Sequence, residues 1–262
     1  MSIIINDINM PNIDWEARKK EIEEQSSAIW RDVVDFVGKE KIRIRTSEAP
    51  VACSFTRSQE IPAPELVWTK QRFAASCFPK WKLYMNPFWQ LEETDLPKNW
   101  QEMNVYQLHV YAVALLRDNR LTAKEQALIK QVQNPLQSEY HKYHEIMPGQ
   151  HTALFVHLVK QKQWEAARKA IIAHELSHIS GSGLALLSQY NAFQSRLFEK
   201  EADFIACSLP DIEIKAGLMA FMKISSELSP NEADRRVVDI ASQDSKETHP
   251  TLMTRYNYIS RF

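Results

Sequence analysis

The stretch that decides the fold is His174-Glu175-Leu176-Ser177-His178, an HExxH pentapeptide preceded by an alanine-rich run from Trp164 to Ala173. The run contains no glycine or proline and its apolar residues recur at helical spacing, which predicts one helix that continues through the motif. On such a helix His174 and His178 lie on the same face, one turn apart. Two imidazoles placed in this way can each give a nitrogen to one zinc ion, and Glu175 can reach a water at the open position of the metal.

The alternative interpretation of the motif is chance, since a pattern with three fixed positions is short. Its context favours a metal site instead. Ile171, Ile172 and Ala173 lead directly into the motif and predict a buried helix. Buried histidines beside a glutamate are costly unless something pairs them, and a bound zinc ion would do so.

Composition and charge exclude several classes of protein. The 262 residues include 32 Lys plus Arg and 33 Asp plus Glu, so the net charge is -1 and no basic face for nucleic acid is indicated. Cys53, Cys77 and Cys207 are odd in number and form no CxxC pair, which favours a reducing compartment. The first residues do not resemble a signal peptide, and no apolar run reaches the length of a membrane span. We expect a soluble, cytoplasmic protein without an integral membrane segment, and the oligomeric state stays open.

The predicted elements are mainly helical. Helices are predicted at residues 12–37, 102–116, 122–134, 164–178, 184–207 and 211–228, followed by a short final helix. Asn12 is the predicted N-cap of the first helix, and Gly38 its stop. Strands are predicted at residues 41–45, 51–56 and 151–159, the first two as a pair. The third would be an edge strand beside the metal, to which an extended substrate could add by backbone hydrogen bonds.

We predict two parts of the chain: residues 1–147, an N-terminal helical and aromatic region packed on the core, and residues 148–262, a zinc metallopeptidase core. No function is assigned to the first part. Its stretch from Val67 to Trp100 is rich in aromatic residues. These rings could line a substrate groove or a partner surface, but a core role is favoured because aromatic side chains dominate core burial.

Three separated motifs resemble those of one family, the gluzincin metallopeptidases that include the CAAX prenyl proteases, HtpX and the OMA-type proteases. The motifs are HExxH at His174–His178, ExxAD at Glu199–Asp203 and THPxxxxR at Thr248–Arg255. Pro148-Gly149 also resembles the start of the family's PGG turn, with Gln150 in place of the second glycine. The resemblance covers residues 148–255, and residues 1–147 resemble nothing recognised. It implies a mainly α (α+β) fold: a zincin-like metallopeptidase core with a small sheet and an HExxH active-site helix.

The chain departs from the membrane members of this family. Those proteins have hydrophobic spans and a longer connection between the second motif histidine and the glutamate ligand. We therefore expect a compact, soluble member, and a prenylated or membrane-bound substrate is not implied.

The resemblance implies roles for single residues. His174, His178 and Glu199 are expected to bind one zinc ion, with water as the fourth ligand. Zinc lowers the pKa of that water, and Glu175 would accept its proton and pass it to the leaving amine. Asp203, one turn beyond Glu199, is expected to accept the other N–H of a histidine ligand, the alternative being a carboxylate on the helix surface.

The resemblance also implies functional roles for residues of the THPxxxxR motif near the end of the sequence. His249 alone would be an ordinary loop residue, but in relatives the THP segment folds back toward the metal cleft. There His249 would either stabilise the developing oxyanion or occupy the open metal position and hold the enzyme latent. Pro250 is expected in the first turn of the final helix. Arg255 is expected to hold that helix in place through a carboxylate such as Asp203.

The expected function is that of a zinc-dependent metalloendopeptidase acting on a polypeptide substrate. The first alternative is an inactive zinc-binding pseudo-peptidase that serves as a protein-interaction module, and the presence of Glu175 argues against it because a structural site has no use for a base. The second is an aminopeptidase-like enzyme, which is disfavoured because no motif for gripping a free amino terminus is recognised.

Overall fold

The computed structural model describes residues 10–40, 52–55, 65–69, 80–85, 87–117, 123, 150–179, 191–229, 231–243 and 247–262. This part of the chain is mainly helical, as predicted. Its helices are α1 (Trp15–Lys39), α2 (Val105–Arg117), α3 (Gln150–Lys160), α4 (Trp164–Ser177), α5 (Ala192–Cys207), α6 (Ile212–Leu228) and α7 (Leu252–Ile259). Short 3-10 helices lie at Pro87–Gln90, Glu93–Asp95, Trp100–Glu102 and Glu232–Arg235. Within these ranges, none of the helices is both long and apolar enough to cross a membrane.

The motif helix α4 forms as predicted and lies at the centre of the described structure. It packs against α6, α1 and α5. Most of its circumference is buried, including Ala167, Ala170, Ile171, Ile172 and Leu176, and Glu165 lies on an exposed side. A helix buried on most sides cannot shift without disturbing its neighbours, so α4 is a rigid carrier for the HExxH side chains.

Helices α4 and α6 approach each other unusually closely at Gly217. A Cβ atom added at Gly217 would collide with the backbone carbonyl group of Ala166. Only glycine leaves room for the two backbones at this point. Gly217 therefore sets the distance between the motif helix and the helix with which it packs most extensively.

The edge strand predicted at residues 151–159 is wrong. This segment belongs to helix α3, and Ala153, Leu154, Phe155 and Val156 are all buried within it. A short continuous apolar run fits a buried helix as well as a buried strand, and here neighbours on both sides cover it. No strand precedes the motif helix between residues 150 and 164.

Three short strands lie elsewhere, at β1 (Ala52–Phe55), β2 (Glu65–Thr69) and β3 (Lys80–Met85). Their order is β1-β3-β2, with β1 parallel and β2 antiparallel to β3. The strand predicted at residues 51–56 is thus present, but its described partner is β3. The predicted strand at residues 41–45, the capping box at Thr122 and the Pro148-Gly149 turn lie outside the described residues.

The described residues before and after position 147 contribute to one hydrophobic cluster. Trp164 of α4 stacks on Trp89 with ring centroids 4.9 Å apart, and its Nε1 donates to the carbonyl of Leu91 at 2.7 Å. Phe88, Trp89 and Trp100 are buried, so the core role favoured for the aromatic stretch is correct at these three positions. The division of the chain at residue 147 stays a prediction.

Partly buried charges connect helix α1 to the motif helix. Arg18 of α1 pairs with Glu92 at 2.7 Å and with Asp95 at 3.2 Å. Arg168 of α4 reaches the other oxygen of Glu92 at 3.5 Å. Glu92 is therefore shared by two arginines, one from each helix, and this fixes the position of α4 against the N-terminal part of the chain.

The predicted starts of α1 and α7 need correction at the capping residue. Asp14, not Asn12, caps α1, because its Oδ1 accepts from the backbone N–H of Ala17 at 3.0 Å. Thr251 caps α7, so Pro250 precedes the helix and does not lie in its first turn. In both cases the capping oxygen belongs to the residue directly before the helix, as the geometry of an N-cap requires.

Candidate metal centre

Helices α4 and α5 bring three potential metal ligands together. His174 and His178 project from the end of α4, with their Nε2 atoms 3.2 Å apart. Glu199, from the middle of α5, places Oε2 3.3 Å from Nε2 of His174 and Oε1 3.5 Å from Nε2 of His178. The three residues form a group that could hold a metal ion, and their ligand atoms all lie within 4.8 Å of one another.

These separations fit a tetrahedral metal ion. Donor atoms bound to zinc at about 2.0–2.1 Å in a tetrahedron lie about 3.3 Å from each other. The separation of 3.2 Å between the two histidine nitrogens is close to that value, and each nitrogen lies 3.3 or 3.5 Å from one of the two oxygens of Glu199. Two imidazoles and one carboxylate are also a donor set typical of transition metals, whereas Ca²⁺ and Mg²⁺ prefer oxygen donors alone. The residues present therefore fit a zinc ion.

Asp203 lies one turn beyond Glu199, as predicted, and is fully buried. Its Oδ1 is 2.8 Å from Nδ1 of His174, so the contact predicted for a carboxylate behind a histidine ligand is present. A proton on Nδ1 leaves the lone pair of Nε2 facing His178 and Glu199. By contrast, Nδ1 of His178 is buried without a hydrogen-bond partner among the described residues.

The predicted contact between Arg255 and Asp203 is also present. Arg255 of α7 donates from Nε to one oxygen of Asp203 at 2.9 Å and from a terminal nitrogen to the other at 2.6 Å. Tyr258, which the motifs did not indicate, donates its hydroxyl to Asp203 at 2.5 Å. The sequence offered one indication of Tyr258: it follows Arg255 by three residues and so lies on the same face of α7. Asp203 thus joins α4, α5 and α7.

Arg255 also lies close to two of the three potential ligands. A terminal nitrogen is 3.6 Å from Oε2 of Glu199, and another is 3.3 Å from both ring nitrogens of His174. The guanidinium is buried. It therefore compensates part of the negative charge that Glu199 and Asp203 bring into the core.

Burial and charge shift the pKa values of the ligand group in different directions. Burial lowers the pKa of His178 to about 4. Burial and Arg255 also act to lower the pKa of His174, but Asp203 and Glu199 outweigh them and raise it to about 9. A metal ligand must be neutral at its coordinating nitrogen, so a cation entering this group displaces a proton.

The two carboxylates are held in their charged forms. Burial acts to raise the pKa of Glu199, but His178, His174 and Arg255 hold it well below its ordinary value. Burial likewise opposes ionisation of Asp203, and Arg255 and His174 overcome it and lower the pKa to about 2. Both carboxylates are therefore anionic at neutral pH, as metal binding and its support require.

Glu175 lies at the rim of this group. Its Oε1 is 4.0 Å from Nε2 of His174, and its side chain is partly exposed, whereas His174 is buried. The carboxylate is therefore close to the ligand atoms without being one of the three grouped residues. This is the place that a base acting on a water beside the metal would need.

His249 lies at the outer side of the group. Its Nε2 is 3.4 Å from Oε1 of Glu199, and 64% of its side chain is exposed. The neighbouring hydroxyl of Thr248 is 3.0 Å from its Nδ1. The structure thus places all seven residues singled out by the motifs in one region, although His249 touches Glu199 and not the two motif histidines in the described contacts.

Two other glutamates in Glu-Ala-Asp triplets could be mistaken for the third potential ligand. Glu201 follows Glu199 by two residues, and the structure groups Glu199, not Glu201, with the histidines. A second Glu-Ala-Asp triplet, Glu232–Asp234, belongs to an exposed 3-10 helix in which Asp234 accepts from the hydroxyl of Ser229. The motif requires a glutamate four residues before the aspartate, and this spacing correctly pointed to Glu199, which lies beside the two histidines.

Comparisons of the chain with protein-family models, with curated proteins and with solved structures found no match in any of the three. The class that fold and site define is therefore a mainly helical protein with a group of two histidines and one glutamate that could hold a metal ion. Membership of the gluzincin family stays a prediction that rests on three motifs.

Proposed function

We propose that this chain is a zinc-dependent metalloendopeptidase of the gluzincin type, with a zincin-like arrangement around α4 and α5. Its substrate would be a polypeptide. The cytoplasm is the proposed compartment, on the basis of the cysteine pattern. The single observation that carries the proposal is the convergence of His174, His178 and Glu199, whose ligand atoms lie within 4.8 Å of one another, with Glu175 at the rim.

His174, His178 and Glu199 would hold the ion, which when bound supplies Lewis acidity to the scissile carbonyl and lowers the pKa of a water. Glu175 takes the proton of the attacking water at a carboxylate oxygen and delivers it to the nitrogen of the leaving amine. Because Glu175 is the residue next to His174 on a rigid buried helix, its distance from the reacting water is fixed by the backbone.

The residues behind the ligands orient them. Asp203 accepts a hydrogen bond from the Nδ1–H of His174, and the proton kept on Nδ1 leaves Nε2 free to bind. Arg255 and Tyr258 both donate to Asp203 and hold that carboxylate in place. His249, exposed at the edge of the cluster, can donate a hydrogen bond to the oxyanion that develops on the substrate.

The proposal is tested by zinc content and zinc-dependent hydrolysis. The purified protein is analysed for metal and incubated with an unfolded polypeptide before and after treatment with a chelator. We expect about one zinc per chain, loss of hydrolysis with the chelator, and recovery when zinc is restored. Stoichiometric zinc without any hydrolysis of unfolded polypeptides would favour the inactive interaction module. Absence of zinc binding would reject both.

A further inference from the structure

Arg196 is a buried arginine whose described hydrogen bonds go to the backbone of a distant segment. Only 2% of it is exposed, although it is one of the largest side chains in the described structure. Its Nε donates to the carbonyl of Ile240 at 2.8 Å, and a terminal nitrogen donates to the carbonyl of Glu247. Both carbonyls belong to the stretch that leads to His249.

The position of Arg196 on α5 is informative. Arg196, Glu199 and Asp203 are spaced by three and four residues, so they share one buried face of the helix. Glu199 faces the motif histidines and Asp203 faces Arg255. Arg196 extends the same face toward the segment that precedes α7. One helix face thus carries a metal ligand, its support and a contact to the segment of His249.

His249 lies between two fixed points of the backbone. On one side, the carbonyl of Glu247 is held by Arg196. On the other side, Thr251 caps α7 and donates its hydroxyl to the carbonyl of Arg236 at 2.7 Å. Each fixed point is only two residues from His249, which leaves the backbone at His249 little freedom to move.

We propose that Arg196 is a positioning residue that holds His249 beside Glu199, at the outer side of the potential metal site. A guanidinium presents five N–H donors in a planar fork, so one side chain can hold two carbonyls at a fixed separation. A lysine has the same charge but cannot reproduce that geometry. The inference rests on the proposed function, because the placement of His249 matters for catalysis only if the cluster hydrolyses peptides.

The first measurement is the NMR order parameter of the backbone amides of residues 247–249 in the full chain. In Arg196→Lys we expect it to fall from about 0.85 to below about 0.6, with unchanged order parameters in α4 and unchanged zinc affinity. Arg196→Gln buries no cation and keeps the two N–H donors of its amide group, so it provides a milder variant if the lysine variant does not fold. Arg235→Lys is the matched control, because Arg235 also binds two backbone carbonyls, those of Ser226 and Ser229, in an exposed position.

The second measurement is a double-mutant cycle on hydrolysis of an unfolded polypeptide. Arg196→Lys should lower kcat/KM by about 10- to 100-fold, and it should have no further effect in a chain that already carries His249→Ala. Unchanged order parameters at residues 247–249 in a folded Arg196 variant would overturn the proposal, as would a loss of turnover that persists in full without His249. If the parent chain hydrolyses nothing, the proposed function fails, and the order parameters still decide whether Arg196 holds the segment.

Discussion

Arg255 and Asp203 form a bidentate ion pair in the core, with both carboxylate oxygens engaged at 2.9 and 2.6 Å and a separation of 52 positions along the chain. The pair attaches the last helix of the described structure to the helix that carries Glu199. Because both groups are buried, each depends on the other for compensation of its charge.

Arg255→Met should therefore destabilise the fold strongly. Removing one partner of a buried pair costs about 3–5 kcal/mol, because it leaves the other charge uncompensated. The free energy of unfolding of the metal-free chain, measured in urea, gives the loss directly. The double variant Asp203→Asn with Arg255→Met should lose clearly less than the sum of the two single variants. Additive losses would show that the two residues do not stabilise each other.

Glu175→Gln should retain zinc binding and lose most of the hydrolytic activity. The amide cannot accept a proton, and general-base catalysis contributes about 10²- to 10⁴-fold. Zinc content should be unchanged, since Glu175 is not in the group of ligands. Glu165→Gln, at an exposed position of the same helix, is the control and should retain full turnover. Normal turnover in a zinc-loaded Glu175→Gln protein would reject Glu175 as the base.

Glu199→Ala should weaken zinc binding sharply, and Glu201→Ala should not. Loss of a residue behind a ligand already costs about 10- to 100-fold in metal affinity, so loss of a ligand should cost at least about 100-fold. Glu201 is turned about 200° from Glu199 around α5 and is directed away from the histidines. A competitive zinc titration of both variants decides the matter. The reverse order of affinities would reassign the third ligand.

His249→Ala should lower turnover and leave zinc affinity unchanged. Removal of one hydrogen-bond donor to a developing oxyanion typically costs about 10²- to 10³-fold in kcat. The exposed ring contacts Glu199 from outside the ligand group, which suits a donor to the substrate. Faster turnover in His249→Ala would instead identify His249 as a latch over the metal, and unchanged turnover would make it an ordinary loop residue.

Gly217→Ala should destabilise the fold although alanine is the better helix former. The added methyl group would collide with the carbonyl of Ala166, and overpacking of this kind costs about 1–3 kcal/mol. Gly38→Ala is the control and should stabilise the fold. A Cβ at Gly38 meets no atom within 4 Å, and alanine in a helix is favoured over glycine by up to about 1 kcal/mol. Thermal unfolding of the two variants should show shifts in opposite directions. Two upward shifts would contradict the close approach of α4 and α6.

The sequence was sufficient to predict the motif helix, helix α6, and the part of the helix predicted at residues 184–207 that begins at Ala192. These features depend on periodicity, which is visible in the chain, whereas the contact between Arg255 and Asp203 was expected from the resemblance to a family. The strand predicted at residues 151–159 failed because an apolar run of that length does not distinguish a strand from a helix covered on all sides. The expected edge strand of the family also biased that interpretation.

Other features had no signal that a single sequence can carry. Arg196 binds the backbone carbonyls of Ile240 and Glu247, and a carbonyl is present at every residue, so no side-chain pattern marks its partners. Gly217 was visible only as a glycine within a helix, and its partner Ala166 becomes apparent once α4 and α6 are packed. Long-range contacts to backbone atoms need coordinates.

The distance along the chain between Asp203 and Arg255 has a consequence for biosynthesis. At about 5–20 residues per second, a ribosome needs about 3 to 10 seconds to proceed from Asp203 to Arg255. During that interval the nascent chain already contains both motif histidines and Glu199, but not the arginine that compensates the buried carboxylates. The order of translation thus keeps the proposed hydrolytic centre incomplete until the helices that surround it have been made.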